Sequence, residues 1–157
     1  MDDEIHLFIL WENARILQDK IINDIKENFE LLDMLEIQWT AQFFAHNLKC
    51  FYGINLPENS KKEQHCGNGP FLLLIVRDAD PLYRRRRTSS GSKTVNVNLF
   101  DSKEMYRKWL GGGHKVHASN DVNESNHDLK LLLGYNTDEI NLLYSRNQKI
   151  KEYRKVL

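Results

Sequence analysis

The most informative part of this chain is the stretch His114-Lys-Val-His117-Ala-Ser-Asn-Asp121-Val-Asn-Glu124-Ser-Asn-His-Asp128-Leu-Lys-Leu-Leu-Leu133. A short strand at 115–118 is followed by small polar residues and then by a helix that begins near Glu124. His117 therefore ends a strand, and acidic residues occupy the first turns of the next helix. A histidine held in this way can accept a phosphoryl group, provided that one ring nitrogen is free and an acceptor holds the other.

Composition excludes several classes of protein. A length of 157 residues, 41% of them hydrophobic, predicts one domain with a real core. The 22 basic residues balance the 22 acidic ones, so no global field favours nucleic acid or membrane. The longest apolar run, 71–76, is too short to span a bilayer. The acidic N-terminus and the unpaired spacing of Cys50 and Cys66 predict a cytoplasmic protein with reduced thiols.

Hydrophobic periodicity predicts a mixed architecture. We expect strands at 7–11, 32–39, 71–77 and 115–118, and helices at 13–29, 41–52, 102–110 and 124–133. Thr40 is the expected N-cap of the second helix. The apolar run 71–77 suits a central strand, and short strands alternating with long helices indicate an α+β, ferredoxin-like split βαβ antiparallel sheet of about four strands.

The remaining segments predict connections and one insertion within a single domain, 1–157. The polar segment 53–69 is expected to be irregular. A basic hairpin or loop, about 78–100, contains four consecutive arginines at 84–87 and ends in an alternating stretch, 94–100. A helical tail, about 137–157, is expected to begin at Thr137 as its cap.

These motifs, in this order, resemble the nucleoside diphosphate kinase family. That family places its catalytic histidine in an Asn-x-x-His-Gly-Ser-Asp segment before a helix with a Glu-Ile pair. Here the segment is His114-Lys-Val-His117-Ala-Ser119-Asn, and the pair is Asp128-Leu129. Gly69-Pro70 before the third strand and Arg107-Lys-Trp-Leu-Gly111 at the end of a helix are also similar. The resemblance covers about Ile5 to Tyr144, with the basic loop as an insertion.

The resemblance implies a role for each site residue. His117 would be the phosphate acceptor, Asp128 would orient its imidazole, with Glu124 as second choice, and Ser119 would orient the ring or the phosphate. Arg107 is the phosphate ligand that carries over. Substitute cations are expected among Lys115, Lys103 and the arginines 84–87. Mg²⁺ with a nucleoside triphosphate, and a homo-oligomer, are likewise implied by the family; no metal-ligand motif is expected in the chain itself.

The chain also departs from the family pattern. Trp11-Glu-Asn13 replaces a Lys-Pro-Asp whose lysine holds the transferred phosphate. The loop before the catalytic histidine, which carries a threonine and an arginine for the nucleotide phosphates, is missing, because Gly111-Gly-Gly113 runs directly into His114. His114 replaces the motif's asparagine and could be a second base or phosphate contact, although a strand-end structural role is the blander interpretation. Trp11 could stack on a base or sugar, or simply pack in the core.

Three further signals are open to two interpretations. The arginines 84–87 could be a solvated loop or a clamp for an anion. Gly111-Gly-Gly113 could cradle phosphate through its N–H groups or end a helix. His65-Cys66 is an incomplete zinc motif.

The sequence therefore predicts a nucleoside diphosphate kinase-like, nucleotide-binding protein that transfers a phosphoryl group through a phosphohistidine. The alternatives are a non-catalytic nucleotide-binding or oligomerisation module, and polyanion or nucleic-acid binding through the basic loop. Nucleic acid is the less expected of these partners, because the loop lacks interleaved aromatic residues.

Overall fold

The computed structural model describes residues 2–53 and 60–145. Along the chain these form β1 (Glu4–Leu10), a 3₁₀ helix (Glu12–Leu17), α1 (Gln18–Asn28), β2 (Glu30–Ile37), α2 (Phe44–Tyr52), α3 (Lys61–Cys66), β3 (Phe71–Asp78), β4 (Tyr83–Thr88), β5 (Gly91–Asn96), α4 (Val97–Trp109), β6 (Val116–Ala118), α5 (Val122–Leu133) and α6 (Thr137–Ser145).

Four of the strands make one antiparallel sheet in the order β2-β3-β1-β6. This is the predicted ferredoxin-like arrangement of two βαβ units. β3 lies between the strands of the first unit, β1 and β2, and β1 lies between the strands of the second unit, β3 and β6. The central position expected for β3 is confirmed: its residues Phe71 to Val76 are all buried, as a strand covered on both faces requires. The site described below lies at the opposite edge from β2, beside β6.

Helices cover both faces of the sheet and bury alternate strand residues. On one face, Leu7 and Ile9 pack with α2, α5 and α6. On the other face, Phe8 and Leu10 pack with α1 and α4. The predicted alternation of β2 is confirmed, because Leu35 and Ile37 are buried together, as is Trp39 just beyond the strand.

The predicted basic insertion is a two-stranded hairpin of β4 and β5, separate from the main sheet. The prediction of its end was wrong. The alternating stretch was expected to continue to residue 100, but the strand stops at Asn96, whose side-chain oxygen accepts the Asn98 N–H at 3.0 Å and caps α4. The third long helix therefore starts at Val97, five residues before the expected Ser102.

Other element boundaries also differ from the predictions. Thr40 does not cap α2: a turn intervenes, in which the Thr40 carbonyl accepts the Phe43 N–H, and the helix begins at Phe44. Asn136 caps α6 instead of Thr137, through reciprocal hydrogen bonds with Glu139 of 3.1 and 2.8 Å. Glu12–Leu17 is 3₁₀ where an α-helix was expected to start at Asn13.

The largest departure is α3, which lies in the segment 53–69 predicted to be irregular. Ser60 accepts the Glu63 N–H at 3.1 Å as its N-cap. The loop prediction for 54–59 and the tail prediction for 146–157 lie outside the described residues. No helix in the described ranges is both long enough and apolar enough to traverse a bilayer.

Candidate active site

His117 is positioned by the alternation of β6. It lies opposite Ile9 of β1, on the sheet face that α5 covers, whereas its neighbours Val116 and Ala118 face the other layer. The ring packs edge-on against two aromatic side chains of α2, with centroid distances of 4.9 Å to Phe51 and 5.5 Å to Tyr52. Strand register and aromatic packing together fix the orientation of the imidazole.

The acceptor for the imidazole comes from α5. Asp121 caps this helix by accepting the Glu124 N–H at 2.8 Å. Glu124 and Asp128 are four residues apart and so lie on one helix face. That face points at His117, whose Nε2 is 2.7 Å from Asp128 Oδ2 and 3.6 Å from Glu124 Oε1. The predicted order of preference, Asp128 before Glu124, matches these distances.

This contact fixes the tautomer of neutral His117. A carboxylate only accepts hydrogen bonds, so Nε2 must carry the hydrogen and Nδ1 must carry the lone pair. Within residues 2–53 and 60–145, Nδ1 has no hydrogen-bond partner. The other oxygen of Asp128 is 2.9 Å from Nδ1 of His127, which is about half exposed. The arrangement leaves one nucleophilic nitrogen available on a ring that its carboxylate partner holds.

His117 lines a cavity of about 320 Å³ beside β6. Five cationic side chains also line it, and they come from α3, the hairpin and α4: Lys62, Arg87, Lys93, Lys103 and Arg107. Two carboxylates, Glu104 and Glu124, are the acidic members of the described lining. Cations therefore outnumber anions in the described lining of this cavity, which is the electrostatic environment that a phosphoryl group needs.

Two of the cations that line the cavity belong to α4. Lys103 and Arg107 are four residues apart and share Glu104, whose Oε1 is 3.9 Å from Lys103 Nζ and 3.5 Å from Arg107 Nη1. Arg107 Nε also donates to the Val116 carbonyl at 2.9 Å, which ties α4 to β6. Burial, reinforced by the charge of Arg107, lowers the pKa of Lys103 to about 8. Glu104 and Glu124 oppose this shift but do not offset the burial of Lys103 and the neighbouring charge of Arg107.

Lys62 supplies a further cation from α3. Its Nζ lies 3.7 Å from the centroid of the Tyr52 ring. Burial, together with Arg107, lowers the pKa of Lys62. Sequence reasoning missed this residue because the polar segment around it predicted a loop. The available signal was Ser60-Lys-Lys-Glu63, which has the spacing of a capping box.

Trp11 does not line the cavity. It is fully buried in an aromatic cluster with Trp39, Phe44 and Phe71, and its indole N–H donates to the Tyr52 hydroxyl at 3.1 Å. The base-stacking interpretation is wrong, and the core-packing interpretation is confirmed. Trp11 nevertheless acts on the site, because it holds the ring on which Lys62 rests.

Ser119 was expected beside His117, but the structure places it in a separate buried network. Its Oγ is 2.8 Å from His6 Nδ1 and 2.8 Å from Ser125 Oγ, and it accepts the Leu7 N–H at 3.3 Å. Ser119 is fully buried and does not line the cavity. These contacts give it a structural position between β1 and α5.

The other expected phosphate ligands divide between cavity and surface. Arg107 and His114 line the cavity, whereas Lys115 does not and donates to the Leu110 carbonyl at 3.3 Å. His114 stacks on His65 with centroids 5.9 Å apart. Burial, and then Lys62 and Arg107, lower the pKa of His114.

The four arginines of β4 do not act as one clamp. Strand alternation turns Arg84 and Arg86 towards a larger, open groove of about 740 Å³ on the far side of the hairpin, where Arg86 pairs with Asp101 at 3.0 Å. Arg87 alone of the four reaches the cavity of His117. Lys93 of β5, which the sequence did not single out, joins it there.

Two weaker motifs have structural explanations. In Gly111-Gly-Gly113, the N–H groups of Gly111 and Gly112 bond the carbonyls of Lys108 and Arg107 at 3.0 and 2.7 Å, so this segment ends a helix. Cys50 and Cys66 are free thiols. Cys66 Sγ is buried 3.4 Å from the His114 carbonyl, and burial raises the pKa of this thiol to about 12.

The fold also assembles one group with potential metal ligands. One ligand atom each from His117, Glu124 and Asp128 lie within 4.8 Å of one another, which could hold a metal ion. Sequence reasoning associated these three residues as an imidazole and its candidate acceptors, but did not predict a metal site there. A metal there would have to displace the 2.7 Å contact between Nε2 and Asp128.

Known proteins resemble this chain in fold. No protein-family model and no curated protein sequence matches the chain. Among solved structures, the nucleoside diphosphate kinase of Aquifex aeolicus matches with a TM-score of 0.55 and 14% identity over 87% of this chain and 98% of that one. The chain has the fold of a nucleoside diphosphate kinase.

A second kinase structure agrees. The nucleoside diphosphate kinase of Encephalitozoon cuniculi matches with a TM-score of 0.52 and 15% identity, over 85% of this chain and 91% of that one. The α+β ferredoxin-like class and the family resemblance expected from the motifs are thus confirmed as a likeness of fold. At these identities the likeness establishes the fold alone, so the chemistry has to be argued from the residues of this chain.

Proposed function

We propose that this protein transfers phosphoryl groups through a phosphohistidine at His117. The observation that carries the proposal is a single arrangement: Asp128 holds Nε2 of His117 at 2.7 Å, and the ring opens into a cavity lined by five cations. A buried histidine kept only for packing would not need this surplus of positive charge, which lowers the stability of the empty site.

The proposed transfer needs no external base. The Nδ1 lone pair attacks the terminal phosphorus of a polyphosphate chain, and the bond from that phosphorus to the bridging oxygen breaks. The leaving phosphate takes the electron pair. The ring, now phosphorylated on Nδ1 and still protonated on Nε2, is positively charged, and the Asp128 carboxylate stabilises that charge. An acceptor oxygen then attacks the phosphohistidine and regenerates neutral His117.

Lys62 and Lys103 take the place of the missing lysine in this proposal. Phosphoryl transfer depends mainly on positioning and on neutralising the equatorial oxygens. Lys62 lines the cavity from α3 and Arg107 from α4, and Arg87 and Lys93 line it from the hairpin. The hairpin thus supplies cations to the cavity of a chain that lacks the family's loop before the histidine.

Nucleoside triphosphates are the first donors to test, because two solved structures that share this fold are nucleoside diphosphate kinases. Mg²⁺ in such sites is bound largely by the phosphates and neutralises their charge. The cavity fits that mode only sparsely: Glu104 and Glu124 are its described carboxylates, and the side-chain oxygen of Asn120 is buried with no described partner. Self-association and a cytoplasmic location remain predictions from the sequence.

The test is labelling with γ-³²P-ATP and Mg²⁺. We expect acid-labile, base-stable label on the wild-type protein and none on His117→Ala. His127→Ala is the matched control, because His127 contacts the same carboxylate from a half-exposed position and should leave labelling largely intact. Label that survives in His117→Ala contradicts the proposal. Nucleotide binding without any label favours the non-catalytic alternative, for which the replacement of the family's lysine by buried Trp11 is the supporting observation.

A further inference from the structure

The lining of the cavity has little to offer a nucleoside. Tyr52 and Phe100 are the aromatic side chains, apart from histidine, in its described lining. An ammonium group occupies a face of each ring: Lys62 Nζ is 3.7 Å from the Tyr52 centroid, and Lys103 Nζ is 4.1 Å from the Phe100 centroid. Bases are recognised largely by stacking on an open aromatic or apolar face. Here those faces are already covered by charge.

The same cavity offers much to a phosphate chain. Arg87 and Lys93 are exposed and have no ion pair within the described residues. The neighbouring Arg86, in contrast, forms an ion pair with Asp101. The turn of the hairpin adds three hydroxyl groups to the lining, from Thr88, Ser89 and Ser90. Cations and hydroxyl groups thus extend from the hairpin turn to His117, in the pattern that an extended oligoanion would contact.

The size of the cavity also favours a phosphate chain over a nucleotide. Its volume of about 320 Å³ is at the lower end of the range, roughly 300–1,000 Å³, that encloses drug-sized ligands. A ligand that places its terminal phosphorus at His117 and its remaining phosphates among Lys62, Arg87 and Lys93 leaves little enclosed space for a sugar and a base.

We propose that the phosphoryl donor of this site is an inorganic oligophosphate, of which tripolyphosphate is the simplest, recognised by its charge and without a nucleoside. The inference rests on the proposed function and specifies its substrate class. With tripolyphosphate, Nδ1 of His117 bonds to a terminal phosphorus, the P–O bond to the bridging oxygen breaks, and diphosphate leaves with the electron pair. Nε2 keeps its proton, which it donates to Asp128 in a hydrogen bond, so no further reactant is needed for this half-reaction.

Two measurements test the inference separately from the proposed function. Calorimetry on the full chain compares tripolyphosphate, ATP and adenosine, without Mg²⁺ so that chelation does not interfere. We expect tripolyphosphate to bind at least as tightly as ATP, and adenosine not to compete. Labelling with terminally ³²P-labelled tripolyphosphate and with γ-³²P-ATP then reports the chemistry at His117.

Paired variants locate the binding surface. Arg87→Gln combined with Lys93→Gln should weaken tripolyphosphate binding by about tenfold or more, the size expected for lost charge-assisted hydrogen bonds. Arg84→Gln is the matched control, on the same strand but facing the other groove. Thermal melts of each variant verify that it is folded.

The possible outcomes are distinguishable. ATP binding more than tenfold tighter than tripolyphosphate, or displacement of bound ATP by adenosine, overturns the inference and leaves phosphoryl transfer standing. Displacement of tripolyphosphate by a short oligonucleotide at lower concentration also overturns it, in favour of a nucleic-acid ligand. Tripolyphosphate binding without label from either donor instead contradicts the proposed function.

Discussion

Two buried histidines of this protein, His6 and His117, each contact a carboxylate, but their other surroundings differ. This difference identifies the candidate site. His6 is fully buried, with Nδ1 2.8 Å from Ser119 Oγ and Nε2 2.8 Å from Glu4 Oε1. His117 also has a carboxylate on Nε2, but no described side chain bonds its Nδ1, and cations line the cavity beside it. A histidine–carboxylate pair is therefore not sufficient evidence of catalysis. The free nitrogen and the surrounding charge make the distinction.

The largest expected difference between His6 and His117 comes from changing their carboxylate partners, Glu4 and Asp128. Asp128→Asn should slow phosphorylation of His117 by about 10³- to 10⁴-fold, because an amide can donate to Nε2 and so place the hydrogen on Nδ1. Glu4→Gln makes the same chemical change at His6 and should leave the labelling rate of folded protein unchanged. Single-turnover labelling measures both rates. Equal losses in the two variants would remove the distinction between the histidines.

The next largest effect concerns the cations. Lys62→Met combined with Lys103→Met should lower the labelling rate by about 10³-fold, since stabilising cations contribute on this scale to phosphoryl transfer. Lys115→Met is the control, because Lys115 lies nearby but bonds the Leu110 carbonyl outside the cavity. Stability should not fall, because the double change removes one buried charge, on Lys103, and one partly buried charge, on Lys62. A rate within a few-fold of wild type would show that these ammonium groups are not part of the site.

Ser119 separates a structural role from a catalytic one. Ser119→Ala leaves His6 Nδ1 with only Ser125 Oγ, at 3.2 Å, as a described partner. We expect the free energy of unfolding to fall by about 1–3 kcal/mol, because the hydrogen bonds of Ser119 Oγ to His6, Ser125 and the Leu7 N–H are lost together. Labelling per folded molecule should be unchanged. Denaturant unfolding and labelling on the same samples check this. Loss of labelling at unchanged stability would return Ser119 to the active site.

These assignments show what the sequence could and could not predict. The apolar run of β3 and the alternation of β2 carry local information, and both led to correct predictions. The resemblance to the family motif paired His117 with Asp128, and the structure brings the two side chains within 2.7 Å, whereas their catalytic roles stay a prediction. The partner of Ser119 is His6, 113 residues away, and no periodicity encodes such a contact. Lys62 was not predicted as a site residue because its segment is polar and was predicted to be a loop. Helix propensity alone does not reveal a short helix whose start depends on an N-cap.

The smallest expected effect is the dependence of phosphate-chain binding on pH. Burial and Arg107 lower the pKa of Lys103 to about 8, while Glu104 and Glu124 oppose the shift and Lys62 adds to it. A bound phosphate chain favours the ammonium form and raises that pKa. Binding should therefore be strongest below pH 8 and weaken several-fold as the pH rises through 8 to about 9.5, as the free protein loses this proton.

Lys103→Arg is the control for the pH effect, because a guanidinium stays charged throughout this range. Calorimetric titrations at a series of pH values should give a flat profile for that variant and a falling one for wild type. A wild-type profile that is flat between pH 7 and 9.5 would mean that Lys103 does not meet the ligand.

The most direct test of the central claim is the identity of the phosphorylated atom. ³¹P NMR of the protein after incubation with a phosphoryl donor, combined with mass-spectrometric mapping, distinguishes the two ring nitrogens and the residue that carries the phosphate. We predict one phosphohistidine, at His117, on Nδ1, because Asp128 holds Nε2 at 2.7 Å. Phosphate on Nε2 of His117, or on His127 or another residue, would contradict the account.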